Sequence, residues 1–250
     1  PPRCCQKAEI LSFIRMAGSI RITGGRSGAV LQIQTEHAPT AKKIFKLLKK
    51  LANSQIEISI KENSFLKDNR LYIISSKMDE IKPLLKELGL ISRDEKSFNF
   101  KGPANSSIIA KRCCKRAYLR GAFLGSGSIS DPKGAYHMEF VTINEDHAND
   151  LCKLINSFGL KSKIVVRKEN FVVYIKEGEQ IVDLLNIIGA HQALLKLEDI
   201  RVFKNVRNNI NRLINCETAN LSKTIDASMK QIENIKIIDE TIGLDKSNVY

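Results

Sequence analysis

The sequence predicts an α+β fold of two pseudo-twofold αββαββα repeats followed by a helical appendage. The main observation is a segment that the chain carries twice, RCCQKAEILSFIRMAGSI at Arg3–Ile20 and RCCKRAYLRGAFLGSGSI at Arg112–Ile129, with a constant offset of 109 residues. Two long copies indicate one domain whose halves pack against each other, whereas a solenoid would show many short copies. A second observation is that both halves end in the same helix pattern.

After the first helix, each half carries a strand pattern, a helix, two further strand patterns and a closing helix. In the first half these lie at Ala29–Thr35, Ala38–Leu51, Gln55–Lys61, Arg70–Ser75 and Lys77–Leu88. In the second half they lie at Ala135–Thr142, Glu145–Phe158, Ser162–Lys168, Phe171–Lys176 and Glu179–Ile188. The predicted organisation is therefore a first repeat at 1–90, a linker at 91–111, a second repeat at 112–190 and a helical connector at 191–250.

The closing helices give an independent check on the duplication. Both carry apolar residues at i, i+3, i+4 and i+7, which form one buried helix face. These residues are Ile81, Leu84, Leu85 and Leu88 in the first half and Ile181, Leu184, Leu185 and Ile188 in the second. Gly89 and Gly189 follow, as is usual where a helix stops in the left-handed conformation.

Composition limits the class of protein. A chain of 250 residues with 43% hydrophobic residues can bury a full core. It contains no run of about 18 apolar residues and no signal-type apolar stretch, so we expect no membrane partner. Six cysteines, four of them in two adjacent pairs, do not resemble a disulfide framework. The expected location is a reducing cytoplasm, in association with the nucleoid.

The charge of the chain points to nucleic acid. Lys and Arg number 40 against 27 Asp and Glu, a formal net charge of +13. Each phosphate that a basic side chain neutralises releases condensed counterions, so a basic protein is attracted to polyanions. Double-stranded DNA is the expected partner, although solvated lysines alone also give a basic balance.

One strand pattern places its basic residues on a single face. Lys161, Lys163, Val165 and Arg167 are alternate residues and share one face, whereas Ile164 and Val166 take the opposite face. The first half shows a weaker version in two strand patterns. In the first, Gln32 and Gln34 lie on the face opposite Leu31 and Ile33. In the second, Glu57, Ser59 and Lys61 lie on the face opposite Ile56, Ile58 and Ile60. A sheet covered by helices on its other side could lie with this face along duplex phosphates and groove edges. An ordinary solvated sheet face is the alternative.

Other basic residues lie on helix patterns. The lysines between 42 and 50 fall outside the apolar positions of their helix, and we interpret them as a solvated face: they are Lys42, Lys43, Lys46, Lys49 and Lys50. Past Gly189 the duplication ends, and helical apolar spacing recurs at 203–214 and 229–242. Arg207 and Arg212 in the first of these stretches are candidates for contact with phosphate or an acidic partner. A solvated face or intramolecular salt bridges remain open alternatives.

These residues resemble a known family. An αββαββα duplication whose first helix in each half ends in a Gly-Ser-Ile motif is similar to the two-copy LAGLIDADG homing endonuclease fold. A closer resemblance, over essentially the whole chain, is to the WhiA family of bacterial regulators, which carries this fold without its nuclease chemistry. The stretches that carry it are CCQKAEILSFIRMAGS, KRCCKRAYLRGAFLGSGS, NIIGAHQALLKLEDIR, RNNINRLINCETANLSKT and QIENIKIIDETIGL.

The resemblance implies where nuclease residues would stand. In the endonucleases each of these helices ends in an aspartate before glycine, and the two aspartates hold divalent metal over the scissile phosphates. The matching positions here are Ala17 and Ser126, which bring no carboxylate. We therefore expect no enzyme, no cofactor and no small-molecule substrate. A metal-dependent LAGLIDADG DNA endonuclease is the alternative from another class.

Small residues in the same helices have a packing interpretation. Gly121 and Gly125 lie four residues apart, and Ser12 and Ala17 supply small groups in the other copy. Glycine inside a helix costs up to about 1 kcal/mol, so we expect a compensating close approach of the two helix backbones.

The adjacent pairs Cys4-Cys5 and Cys113-Cys114 occupy equivalent positions and raise the question of a four-cysteine zinc site. Adjacent cysteines project in different directions, and structural zinc sites usually use C-x2-C spacings. The favoured interpretation is therefore small hydrophobic residues at a symmetric seam, with no metal expected.

In the WhiA family a helix-turn-helix domain follows a stretch like QIENIKIIDETIGL. Only Asp245–Tyr250 remain after that stretch's final Gly-Leu, so we expect most of this domain to be missing. The resemblance implies a non-catalytic DNA-binding transcriptional regulator of cell division, chromosome segregation, the cell cycle or sporulation, with another transcription regulator as a further partner. A protein-interaction scaffold that hardly binds DNA by itself is the remaining alternative.

Overall fold

The computed structural model describes residues 1–22, 28–52, 54–62, 70–91, 106–132 and 134–242, and its element order is αββαββα twice, followed by one long helix. The first half comprises α1 (Arg3–Ala17), β1 (Gly18–Ile22), β2 (Ala29–Thr35), α2 (Ala38–Leu51), β3 (Glu57–Glu62), β4 (Arg70–Lys77) and α3 (Met78–Glu87). The second comprises α4 (Arg112–Ser126), β5 (Gly127–Ile129), β6 (Met138–Thr142), α5 (Glu145–Asn156), β7 (Lys163–Arg167), β8 (Asn170–Ile175) and α6 (Gly178–Ile188). The last helix, α7, is His191–Ile242.

The sequence pattern predicted most of these elements closely. β2 and α2 have the predicted bounds, and the other predicted elements of the two repeats differ by at most three residues. The pattern did not delimit β1 and β5, which begin at the glycine directly after α1 and α4. Most of the predicted linker at 91–111 lies outside the described residues.

Each half forms a four-stranded antiparallel sheet. The strand orders are β1-β2-β4-β3 and β5-β6-β8-β7, so β3 and β7 are edge strands. Gly18 lies opposite Ile33, and Gly127 lies opposite Phe140. In both halves, the glycine that directly follows the first helix therefore opens the pairing of the first two strands.

Helices cover one face of each sheet and enclose the core. Leu31, Ile33 and Ile74 from the first sheet are at most 1% exposed, as is Phe140 from the second. The apolar positions predicted for α2, α3 and α6 are all buried, and none of them is more than 8% exposed. Gly89 and Gly189 have φ values of 70° and 80°, which confirms the left-handed stops predicted for both halves.

Helices α1 and α4 pack against each other at small residues. A Cβ atom on Gly121 would lie 2.1 Å from Ser12 Oγ and 2.5 Å from the Glu9 carbonyl oxygen, and one on Gly125 would lie 3.0 Å from Met16 Cβ. The close backbone approach predicted from these glycines is confirmed, because no side chain fits at position 121 without movement.

The chain divides into two compact units, Pro1–Leu197 and Glu198–Tyr250. The sequence indicated two helical stretches after Gly189, whereas the structure has a single helix of 52 residues. Within the second unit, apolar side chains such as Phe203 (76% exposed) and Met229 (63% exposed) face solvent. Among the described residues, no helix combines the length and the apolar character needed to cross a membrane.

Candidate nucleic-acid interface

The face of each sheet that points away from the helices holds most of the predicted DNA-contacting residues. Lys163 and Arg167 are exposed and share this face of β7, as the alternation predicted. Lys161 precedes the strand and is exposed, and its backbone N–H donates a hydrogen bond to Gln180 Oε1 at 2.7 Å. The predicted basic positions of the second sheet therefore lie at its β7 edge.

The first sheet repeats the arrangement with fewer charges. Gln32 is half-buried and lies opposite Ser75, and Gln34 is exposed and lies opposite Ile73. Lys61 is exposed on the edge strand β3, opposite Leu71.

One expectation about β3 is wrong. Its apolar residues were expected on a face covered by helices, but Ile58 is 43% exposed and Ile60 is 55% exposed. The reason is topological, because β3 is an edge strand and α2 and α3 pack on β2 and β4. Only the start of this segment, Ile56, packs against the core.

The strand registers reveal a symmetry that the sequence alone did not. Both sheets have the same strand order and the same starting register, so paired positions in one sheet can be matched to positions in the other. On this basis Lys61 corresponds to Arg167, and Lys77 at the end of β4 corresponds to Lys176 just after β8. All four side chains are exposed and lie on the sheet face opposite the helices. We call these four residues the basic sheet face.

Sequence reasoning missed Lys77 and Lys176, as well as Arg21 on β1. Lys77 lies beyond and Lys176 at the end of a predicted strand pattern, where alternation is too short to assign a face, and Arg21 lies in a strand that the pattern did not delimit. Arg21 is exposed and lies opposite Val30, on the same face of the first sheet as Gln32. The available signal was the duplication itself, which places lysine near the end of β4 and of β8.

An acidic residue lies on the same face of the second sheet as the basic residues. Glu139 lies in the middle of β6 and receives hydrogen bonds from His137 at 2.7 Å and from Arg167 and Ser128 at 3.3 Å each. The hydrogen bond from His137 is the main cause that lowers the pKa of Glu139, despite partial burial. Glu139 is therefore ionised at neutral pH and partly neutralises Arg167.

Two aromatic rings and a lysine lie beside this carboxylate. His137 stacks on Tyr174 with ring centroids 5.7 Å apart, and Lys176 Nζ lies 5.1 Å from the Tyr174 ring centroid. These contacts hold Lys176 over the sheet, since a cation is attracted to an aromatic face. Arg207 and Arg212 lie in the second unit, on α7, and are exposed there.

The positions expected to bind catalytic metal in a homing endonuclease do not fit such an ion. Ala17 and Ser126 are the last residues of α1 and α4, and they offer a methyl group and a hydroxyl group. Ser126 Oγ is buried and has no hydrogen-bond partner among the described residues. Magnesium prefers carboxylate and water oxygens, so this pair lacks the charge that such a site requires.

The carboxylate of α1 nearest to Ala17, that of Glu9, forms ion pairs within the protein. Glu9 is fully buried, and its two oxygens accept hydrogen bonds from Arg120 Nε and Nη2 at 2.9 Å each. Lys43 also pairs with Glu9. Burial alone would raise the pKa of Glu9, but the hydrogen bonds from Arg120 and Lys43 outweigh it and lower the pKa. This contact joins the two repeats.

A second buried polar network also crosses between the repeats. Arg15 Nη1 donates to Tyr118 Oη at 2.7 Å, and Arg15 Nη2 lies 3.4 Å from Asp150. Tyr118 Oη lies 3.0 Å from His147 Nε2, and burial lowers the pKa of His147 to about 3. Burial also raises the pKa of Tyr118 to about 12. His147 and Tyr118 are therefore both uncharged at neutral pH.

The structure brings the four paired cysteines together. The Sγ atoms of Cys4, Cys5, Cys113 and Cys114 all lie within 4.8 Å of one another. Adjacent cysteines were expected to project in different directions, but the Sγ atoms of Cys113 and Cys114 are only 4.0 Å apart. Burial raises the pKa of Cys5 to about 11 and that of Cys114 to about 12.

Comparison with known proteins identifies the family. Residues 3–91 match the WhiA N-terminal LAGLIDADG-like domain, and residues 115–207 match the WhiA LAGLIDADG-like domain. The probable cell division protein WhiA of Alkaliphilus metalliredigens is 48% identical over 245 residues, covering 97% of this chain and 77% of that protein. The chain belongs to the WhiA family. A second WhiA relative, from Clostridium botulinum, is 50% identical over 240 residues, covering 96% of this chain and 76% of that protein.

One expectation about the C-terminal part is not borne out. Residues 210–249 match the WhiA C-terminal HTH domain, so the expectation that most of this domain is missing does not hold. The expectation counted only the residues after Gly243 and assigned the preceding segment to a connector. Amphipathic spacing alone does not distinguish a connector helix from the first part of an HTH domain.

Solved structures support the same fold. The crystal structure of full-length DUF199/WhiA from Thermatoga maritima matches with a TM-score of 0.65 and 21% identity, covering 98% of this chain and 76% of that chain. The structure of I-DmoI in complex with DNA and Mn matches with a TM-score of 0.52 and 14% identity, covering 75% of this chain and 97% of that chain. The LAGLIDADG-like α+β fold predicted from the sequence is confirmed.

Proposed function

We propose that this WhiA-family chain is a non-catalytic, DNA-binding transcription regulator that acts on duplex DNA in the nucleoid, in cell division, chromosome segregation or sporulation. The observation that carries the proposal is the basic sheet face. Lys61, Lys77, Arg167 and Lys176 are exposed at equivalent positions of two sheets, opposite the helices. Cations repeated on two related sheets suit the phosphates of duplex DNA, which supply affinity without reading sequence.

Sequence-specific contacts would come from the C-terminal unit in this proposal. Residues 210–249 match an HTH domain, a module that reads base edges in the major groove. Arg207 and Arg212 are exposed on α7 and would add phosphate contacts beside it. The homing endonuclease I-DmoI, whose fold resembles the repeat body, was itself solved in complex with DNA.

The absence of catalysis in the proposal rests on Ala17 and Ser126. A two-carboxylate site that holds metal over phosphate cannot be formed by a methyl and a hydroxyl group. Within the described residues, the four paired cysteines are the only group of three or more His, Cys, Asp or Glu side chains placed to share a metal ion. That group lies at the opposite ends of α1 and α4 from Ala17 and Ser126.

The experiment that tests this proposal combines binding with cleavage. The chain is titrated onto labelled duplex DNA in the presence of magnesium, and the DNA is then run on a denaturing gel. We expect salt-sensitive binding and intact DNA. Intact DNA without binding would indicate an interaction scaffold, and cut DNA would contradict the argument from Ala17 and Ser126.

A further inference from the structure

The cysteine cluster lies where the first turns of α1 and α4 meet. Cys4 and Cys5 follow Arg3 at the start of α1, and Cys113 and Cys114 follow Arg112 at the start of α4. Each repeat thus contributes one adjacent pair, and all four Sγ atoms lie within 4.8 Å of one another. The remaining cysteines, Cys152 and Cys216, are not part of the group. The proposed DNA-binding function does not use this cluster.

We propose that Cys4, Cys5, Cys113 and Cys114 bind one zinc ion as a tetrathiolate site that joins the two repeats. A zinc–sulfur bond is about 2.3 Å, so the sulfur atoms of a tetrahedral site lie roughly 3.8 Å apart. The separation of Cys113 Sγ from Cys114 Sγ, 4.0 Å, is already close to this value. The other pairs need to close by no more than about 1 Å, which rotamer adjustment can supply.

The two helix ends are electrostatically suited to such a site. Neither α1 nor α4 has a side-chain N-cap or an acidic residue in its first turn, although helix N-termini favour negative charge. Four thiolates around one divalent ion would place a net negative charge beside the N-termini of both helices. Cations also stabilise thiolates, and a bound divalent ion does so even for a thiol that burial would otherwise keep protonated.

The adjoining cleft supplies those cations and a route by which an ion reaches the sulfur atoms. A cavity of about 400 Å³ is lined by Cys4 and Cys114 together with Arg3, Lys7 and Lys111. Lys7 is paired with Glu87, whose carboxylate also lines the cleft. Cys113 is exposed and Cys4 is half-buried, so the cluster is accessible from solvent, while Cys5 and Cys114 are buried.

Binding is a ligand exchange without electron transfer. The four S–H bonds break heterolytically, their protons pass to solvent, and each sulfur donates an electron pair to zinc, which remains divalent. The alternative of disulfide formation would need an oxidant and would use the sulfurs in separate pairs. A single ion uses all four and holds α1 against α4 at the end where their N-termini meet.

The first test measures metal directly. The full chain is purified without a metal-affinity tag and analysed for zinc by mass spectrometry, and a sample stripped with chelator is titrated with Zn²⁺ and with Co²⁺. We expect one zinc per chain and, with Co²⁺, the intense visible absorption of a tetrahedral cobalt–thiolate centre. We also expect the stripped chain to unfold at a lower temperature than the zinc-loaded chain.

The variants are chosen so that folding does not decide the outcome. Cys113→Ser changes an exposed residue, and Cys216→Ser is the matched control at an exposed cysteine outside the group. We expect Cys113→Ser to weaken zinc binding by more than about 100-fold, since even outer-shell partners contribute 10–100-fold. Cys216→Ser should bind as the unchanged chain does. Equal zinc affinity in both variants, iron with labile sulfide in the purified chain, or no metal uptake by the fully reduced chain would each overturn the proposal.

Discussion

Lys61 and Arg167 occupy the same position in the two halves of the molecule, each at the outer edge of a four-stranded sheet and each opposite the helices. Lys61 lies opposite Leu71, and Arg167 lies opposite Asn170. Arg167 differs from Lys61 in one respect, because its Nη1 is 3.3 Å from a carboxylate oxygen of Glu139. The counterpart of Glu139 in the first sheet is the neutral Gln32.

Replacing Glu139 by Gln is expected to strengthen DNA binding. The substitution removes an ionised carboxylate from the middle of the second sheet and releases Arg167 for contact with phosphate. An exposed ion pair is worth up to about 1 kcal/mol, so we expect an increase in affinity of up to about 5-fold. Fluorescence anisotropy with labelled duplex DNA measures it, and Gln32→Glu provides the reciprocal variant, which should bind more weakly. Unchanged affinity in both variants would place the contact surface elsewhere.

Replacing Gly121 by Ala is expected to destabilise the repeat body by about 3 kcal/mol or more. The new Cβ would meet the Glu9 carbonyl oxygen at 2.5 Å, and a backbone atom cannot move aside cheaply. Gly125→Ala is the matched control, because its Cβ would meet Met16 Cβ at 3.0 Å and Phe13 Cδ1 at 3.8 Å and no backbone oxygen, and alanine gains about 1 kcal/mol in helix propensity. Urea unfolding of the two variants gives the comparison. Equal stabilities would refute the close approach of α1 and α4.

Replacing Glu9 by Gln is expected to lower the free energy of unfolding by about 3 kcal/mol. The change leaves Arg120 without its buried counter-charge. Removing one partner of a buried ion pair lowers stability by more than the intact pair adds relative to apolar residues in its place. Glu87→Gln removes an equivalent charge from the half-exposed pair with Lys7 and should cost less than about 1 kcal/mol. If denaturant unfolding finds no difference between the two variants, the contact between Glu9 and Arg120 does not hold the repeats together.

The stability of the fold is expected to decrease as the pH falls below about 6.5. Burial holds His147 neutral in the folded chain with a pKa of about 3, whereas the unfolded chain takes up the proton near 6.5. The unfolded state therefore binds more protons between these values. This difference costs roughly 2 kcal/mol between pH 7 and pH 5. The nearby positive charge of Arg15 acts in the same direction, since it also disfavours protonation of His147.

Thermal unfolding at the two pH values tests this expectation with paired variants. His147→Gln keeps a polar side chain beside Tyr118 but removes the titration, so its stability should change less between pH 7 and pH 5. His37→Gln makes the same change at an exposed histidine and should behave as the unchanged chain does. The same pH dependence in His147→Gln would assign the effect to another group.

The sequence could predict the parts of this fold that follow from local pattern. The duplication at an offset of 109 residues can be read directly from the sequence. The apolar faces of α2, α3 and α6 and the glycine stops at Gly89 and Gly189 depend on neighbours within a few residues. Strands β1 and β5 were missed because they follow directly on a helix without a turn, and β5 is only three residues long. The exposure of Ile58 and Ile60 depends on the place of β3 at the sheet edge, which pattern does not show.

Prediction of the candidate site from the sequence was less complete, because several of its residues are brought together only by the tertiary structure. Alternation correctly placed Lys163 and Arg167 on one face, but the correspondence of Lys77 with Lys176 appears only when the strand registers are known. The contact of Arg167 with Glu139 joins β7 to β6, which are not adjacent strands in the sheet. The convergence of the two cysteine pairs likewise requires the packing of α1 against α4.

The most direct test of the basic sheet face is the salt dependence of DNA binding by a fourfold variant, Lys61→Gln, Lys77→Gln, Arg167→Gln and Lys176→Gln. The matched control carries Lys42→Gln, Lys46→Gln, Lys49→Gln and Lys50→Gln, which remove the same charge from the outer side of α2. We expect the slope of log affinity against log salt to fall by about one unit per lost phosphate contact in the first variant and to change little in the control. A native slope in the first variant, or an equal loss in both, would contradict the assignment of DNA binding to this face.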